Sequence, residues 1–102
     1  MVTEILKNSI VVAAKGRMWC DMGGEAVILN IDSGVYYGLN PVGARVWELI
    51  QQPMTVEDLL RKLLEIYEVS VERCESELVS LLQDLATNHL IEVESKQYGA
   101  NS

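Results

Sequence analysis

Residues 25–41 read EAVILNIDSGVYYGLNP. Val27, Leu29 and Ile31 alternate with their neighbours, as a strand with one buried face does. Asp32-Ser33-Gly34 follows as a three-residue connection. Gly34 stands where such a hairpin needs a left-handed residue, which glycine adopts without a Cβ penalty. The return strand is Val35–Leu39. Pairing Ile31 with Val35 puts Val27, Leu29 and Ile31 on one face with Val35, Tyr37 and Leu39. Ile28 and Tyr36 then lie on the other face. Asn40-Pro41 ends the hairpin and starts a helix, with Asn40 as N-cap and Pro41 in the first helical position.

Upstream of this hairpin, residues 10–14 and 17–22 read as two more strands, set off by Gly16 and by Gly23-Gly24. Downstream the period changes to that of helices. The first helix runs to about residue 51 and buries Ala44, Val46, Trp47 and Ile50, and Pro53 closes it off. Thr55 caps the second helix, with Glu57 and Asp58 in the first turn, where the helix dipole favours acids. Ser70 caps the third, which runs to about residue 88. Residues 90–94 (LIEVE) form a short extended exit. The tail, residues 95–102, is expected to fray. The chain thus reads as one α+β domain over residues 1–102, with its core in about 9–94.

The third helix has an asymmetric apolar face. Val71, Cys74, Leu78, Leu81 and Leu85 make a narrow stripe that reads as core. One shoulder of that stripe stays apolar, with Val79, Leu82 and Ala86 around Glu75. The other is polar, with Arg73, Glu77 and Asp84. A helix packed on one neighbour needs an apolar face of roughly 100°. The excess width is met either by a second element of the same domain or by a partner lying in an open groove.

Composition limits the function. The 102 residues carry fifteen acids and eight bases, a formal charge of −7. Residues 1–54 are close to balanced, and the excess acid falls almost entirely in residues 55–94. Such a surface repels phosphates, which require clustered Lys and Arg. It suits a basic peptide or plain solvation. No run of about 18 apolar residues suggests a membrane span. The N-terminus, with Glu4 ahead of any base and a short apolar stretch, does not read as a secretion signal. A cytoplasmic protein is expected.

The residues that chemistry would need are missing. His89 is the sole histidine, and there is no Cys-x-x-Cys, so a metal site is not expected. Cys20 and Cys74 read as small buried hydrophobes rather than nucleophiles. There is no phosphate-binding glycine loop, and no carboxylate pair stands out as acid and base. The sequence therefore points to a binding protein with no cofactor.

Taken together, several segments resemble a known family. These are Gly34-Val35-Tyr36-Tyr37-Gly38-Leu39-Asn40, Gly43-Ala44-Arg45-Val46-Trp47-Glu48-Leu49-Ile50, Pro53-Met54-Thr55-Val56-Glu57-Asp58-Leu59, Tyr67-Glu68-Val69, Cys74-Glu75 and Leu90-Ile91. In order and spacing they resemble the PqqD-like peptide chaperones, the recognition elements of ribosomally made, modified peptides. The Tyr-Tyr pair, the Trp-Glu-Leu-Ile and the Cys-Glu are most similar to the lasso-peptide branch. The resemblance covers about residues 9–94. It implies a winged-helix-like fold, an N-terminal three-stranded antiparallel sheet packed on three helices. It also implies a non-catalytic protein that binds the leader of a precursor peptide as an added strand. The precursor then passes to a leader peptidase of the transglutaminase-like cysteine class, and a cyclase acts afterwards.

Carried over by position, the docking strand is Val35, Tyr36, Tyr37, Gly38 and Leu39. The groove wall is Glu75, Val79, Leu82 and Ala86, with Leu78 beneath. Two alternatives stay open: a chaperone of the same family in pyrroloquinoline quinone synthesis, and a winged-helix DNA-binding regulator. The second is at odds with a third helix that offers Arg73 and Gln83 among Glu72, Glu75, Glu77 and Asp84.

Overall fold

Asn30 sets the register of the central hairpin. In the computed structural model, which describes residues 5–94, its backbone oxygen accepts from Gly34 N at 2.7 Å. Its side-chain Oδ1 accepts from the amides of Asp32 (3.1 Å) and Ser33 (3.4 Å). The turn is therefore Ile31–Gly34, a four-residue loop, with Gly34 at φ +73°. Strand β3 (Ala26–Asn30) pairs with β4 (Val35–Leu39) through Asn30 opposite Val35 and Ile28 opposite Tyr37. The expected Ile31–Val35 pairing is thus off by one residue. A one-residue slip exchanges the faces of a strand. Ala26, Ile28 and Asn30 face the core with Val35, Tyr37 and Leu39, while Val27 and Leu29 face outward with Tyr36. Ile28, expected on the far face, is fully buried. An aspartate-or-asparagine turn takes Asn30 out of the apolar alternation and explains the shift.

Strand β2 (Arg17–Asp21) lies on the other side of β3, giving an antiparallel sheet in the order β2-β3-β4. This is the expected three-stranded sheet. A second one forms from β1 (Ile10–Ala13), β5 (Met54–Thr55) and β6 (Ile91–Glu94), in the order β5-β1-β6. Val11, at the centre of β1, is fully buried. Bonds from Ala13 N to Ile50 O (2.8 Å), Ala14 N to Leu90 O (2.9 Å) and Val56 N to Ser9 O (3.0 Å) tie this sheet to the helices.

The three helices start where the caps predict. Asn40 Oδ1 accepts from Gly43 N (2.8 Å) at the start of α1 (Pro41–Leu49). Thr55 Oγ1 accepts from Asp58 N (3.1 Å) for α2 (Val56–Ile66). Ser70 Oγ accepts from Arg73 N (3.2 Å) for α3 (Val71–Thr87). Each bond satisfies an amide that the first turn leaves without an intrahelical partner.

The core joins Val46, Trp47 and Ile50 of the α1 region, Val56, Leu59 and Leu63 of α2, and Leu78, Leu82 and Leu85 of α3. Ile28 and Leu39 bring the sheet into it. The fold is α+β and winged-helix-like, with the sheets against three helices. Leu82, expected on an open shoulder, is fully buried and belongs to this core. Cys74 is buried as expected, but Cys20 is exposed. Cys20 stands opposite Val27 on the outward face of the sheet, where no described element covers it. The tail expected to fray lies outside the described residues.

Candidate functional site

Strand β4 is an edge. It pairs with β3 on one side, and among the described residues nothing pairs with it on the other. Its five residues turn in alternating directions. Tyr36 and Gly38 are exposed on the outward face, and Leu39 is buried on the inner one. Tyr37 and Val35 lie on the inner face at the open margin, with Tyr37 half-buried and Val35 exposed. The end of β4 is held firmly. Leu39 leads into the Asn40 cap, and Gly43 lets the first turn of α1 rest on it. A Cβ at Gly43 would lie 3.1 Å from Leu39 Cδ2.

A groove made of two clefts follows α3. The first, of about 220 Å3, lies among α1, α2 and α3 just beyond the end of β4, and is lined by Asn40, Val42, Val46, Leu63, Leu78 and Leu81, among others. The second, of about 190 Å3, lies between β4 and α3, with Ser33, Val35 and Tyr37 on one side and Thr87, Asn88 and His89 on the other. Both are below the usual size of a small-molecule site and suit single side chains. The start of α3 thus lies beside the end of β4, and the end of α3 beside its start. The helix runs antiparallel to the strand.

At ~100° per residue, the buried stripe Cys74, Leu78, Leu82 and Leu85 has two flanks. Glu77, Leu81, Asp84 and Asn88 form one, and Glu75, Val79 and Ala86 the other. The first faces the groove. Glu77 and Leu81 line the apolar part. Burial raises the Tyr37 phenol above its ordinary value, and the Asp84 carboxylate adds to the rise. The second flank faces the opposite way, toward the segment before β1, where Lys7 Nζ meets Glu75 at 3.8 Å.

The structure therefore gathers only some of the expected site residues. Val35, Tyr37 and Leu78 line the groove. Tyr36 and Gly38 share its strand but face away from it. Glu75, Val79 and Ala86 are half-buried on the distant flank, and Leu82 is inside. The more apolar shoulder, with Val79 and Ala86, is half-buried and does not border the two clefts. A wall wetted on one side instead mixes Leu81 with Glu77 and Asp84, and that mixture was the signal available.

Among the described residues, no group of three His, Cys, Asp or Glu could hold a metal. Burial, with Glu77 second, pushes the Cys74 thiol up, away from the thiolate a nucleophile needs. Glu77 is itself held by Arg73 Nε at 3.0 Å. Among the described residues no helix is long and apolar enough to cross a membrane.

Comparison with known proteins identifies the family and a similar fold. The family profile described as coenzyme PQQ synthesis protein D (PqqD) matches residues 25–91, well over half of the chain. A solved structure titled "TbiB1 in Complex with the TbiA(beta) Leader Peptide" is similar, with a TM-score of 0.74 and 27% identity. The match covers 79% of this chain and 94% of that one. No curated protein matches.

Proposed function

The chain belongs to the PqqD family, and from this we propose that it is a non-catalytic, cytoplasmic protein that captures the leader of a ribosomally made precursor peptide by strand addition to β4. The observation that carries the reading is the free β4 edge beside an open groove. Unpaired N–H and C=O groups on an edge are a template for an extended peptide. Backbone pairing supplies affinity that tolerates sequence change, and the two side-chain-sized clefts supply selection. The similar structure, a complex with a leader peptide, supports leader binding itself.

The precursor is a lasso-peptide precursor in this reading, and the captured peptide is presented to a separate leader peptidase. The support is the motif resemblance, above all Tyr36-Tyr37 and Trp47-Glu48-Leu49-Ile50. The family's description, coenzyme PQQ synthesis, favours a second reading, a peptide chaperone in quinone-cofactor synthesis. The neighbouring reading frames separate the two. A peptidase and an asparagine-synthetase-like cyclase beside a short precursor favour the first.

Titration of isotope-labelled protein with the precursor leader tests the binding mode. Amides of Val35–Leu39 shift together with those of Glu77, Leu81 and Asp84. Shifts confined to the Glu75–Val79–Ala86 flank would overturn it.

A further inference from the structure

The groove differs from one end to the other, and we infer that it reads the order of two side-chain classes in its peptide. An apolar residue sits against the Leu39 end, and a Lys or Arg two or four residues nearer the peptide's C-terminus sits beside Asp84. The inference rests on the leader-binding reading and adds to it a substrate class and a register.

Direction comes first. The β2-β3-β4 sheet is antiparallel throughout, and antiparallel pairs are the slightly more stable kind. A peptide continuing that pattern runs opposite to β4, from the Leu39 end to the Val35 end. It then runs in the same sense as α3, past Leu81 first and Asp84 next. Alternate residues of an extended chain face one side, so only positions an even number apart both meet α3. Positions at odd spacing face outward, with Tyr36 and Gly38.

Chemistry distinguishes the two ends. Val42, Val46, Leu63 and Leu81 make the first cleft a place for an aliphatic or aromatic side chain. Further along, the polar groups Ser33, Tyr37, Thr87 and Asn88 take over. Asp84 lies between the clefts in sequence and acts on Tyr37. Two charges in the neighbourhood already offset each other, since Glu77 pairs with Arg73. Arg17 keeps its charge but is held beyond the helix end, at the carbonyls of His89 and Lys15. Asp84 has no ion-pair partner among the described residues. A cation on the passing peptide is the complement.

Selection from a displayed library of random peptides about twelve residues long, an extended span of ~40 Å, tests this on the whole chain. The expected winners carry an apolar residue with Lys or Arg at the second or fourth position after it. Asp84→Asn weakens the best peptide about three- to tenfold at low salt. Replacing the peptide's Lys by Gln does the same, and the two changes together cost no more than one. Glu75→Gln, on the other flank, leaves binding unchanged. A basic preference at the third position, or one that survives Asp84→Asn, overturns the inference. Winners that move the Val35–Leu39 amides but show no basic preference overturn it alone and leave leader binding standing. A selection that enriches nothing overturns both.

Discussion

Arg17 donates from Nε (3.0 Å) and Nη2 (2.7 Å) to the carbonyl oxygen of His89, 72 residues along the chain. His89 has φ +59°. It follows the Asn88 cap of α3, in a turn where Leu90 N reaches Leu85 O (2.9 Å) and His89 N reaches Ala86 O (3.0 Å). This is the Schellman arrangement, which glycine usually completes. A histidine there costs about 1 kcal/mol of backbone strain. His89→Gly is expected to stabilise the domain by about 0.5 kcal/mol at most, after allowing for glycine's freer unfolded state. The check is a higher urea midpoint at unchanged slope. Arg17→Ala is expected to lower the midpoint, because it removes a cap from the helix end and a tie between β2 and α3.

Three positions on α3 separate core from groove. Leu82→Ala is expected to cost about 2–5 kcal/mol, the usual range for a fully buried leucine. Its effect on leader affinity, measured in the folded fraction, is small. Leu81→Asp is expected to fold and to weaken leader binding at least tenfold, since it places a charge in the apolar cleft. Val79→Asp, on the opposite flank, folds and binds as the parent does. Equal losses at Leu81 and Val79 in fluorescence anisotropy would show the flank assignment to be wrong.

The two thiols are expected to react at different rates. Cys20 is exposed. Cys74 is 8% exposed, and its thiol is raised by burial and then by Glu77. Titration with a chromogenic disulfide at neutral pH should give one fast and one slow phase, merging in denaturant. Because Cys74 also lines the apolar cleft, bound leader slows the slow phase and leaves the fast one unchanged.

Tyr37 makes stability depend on alkaline pH. Its phenol is raised above 10.0 by burial first and by Asp84 second. The folded state therefore holds this proton more tightly than the unfolded chain does. The stabilising contribution is complete below pH 10 and is lost as pH rises through the higher folded value. Tyr37→Phe flattens that part of the stability curve relative to the parent. Identical alkaline slopes for the two proteins would rule the effect out.

Local signals in the sequence were accurate because the chemistry behind them is local. Asn40, Thr55 and Ser70 each cap a helix with a side-chain oxygen three residues from its amide donor. Neighbouring residues decide such contacts. The hairpin register was harder to read, because Val27 and Leu29 belong to the outer face and Ile31 to the turn. Asn30 overrides it through bonds that periodicity does not record. The β5-β1-β6 sheet was half visible: residues 10–14 and 90–94 read as extended, but nothing local indicates that they meet. The α3 flanks depended on which neighbour lies on which side, and that is a property of the assembled fold. Cys20 was misread because small apolar residues are more often inside, and an uncovered sheet face is the exception.

Strand β1 is the central strand of its sheet, between β5 and β6, and its Val11–Val93 pairing spans most of the chain. A ribosome therefore releases the first strand long before the last one that covers it. Until residues 91–94 emerge, Val11 lacks one of its two flanking strands, and contacts so distant in sequence form late. Arg17 likewise waits for His89. A nascent chain stopped short of this point has β3 and β4 but not the brace that fixes α3 against them. The arrangement of α3 against the β4 edge is thus complete only once residues 89–94 have been made.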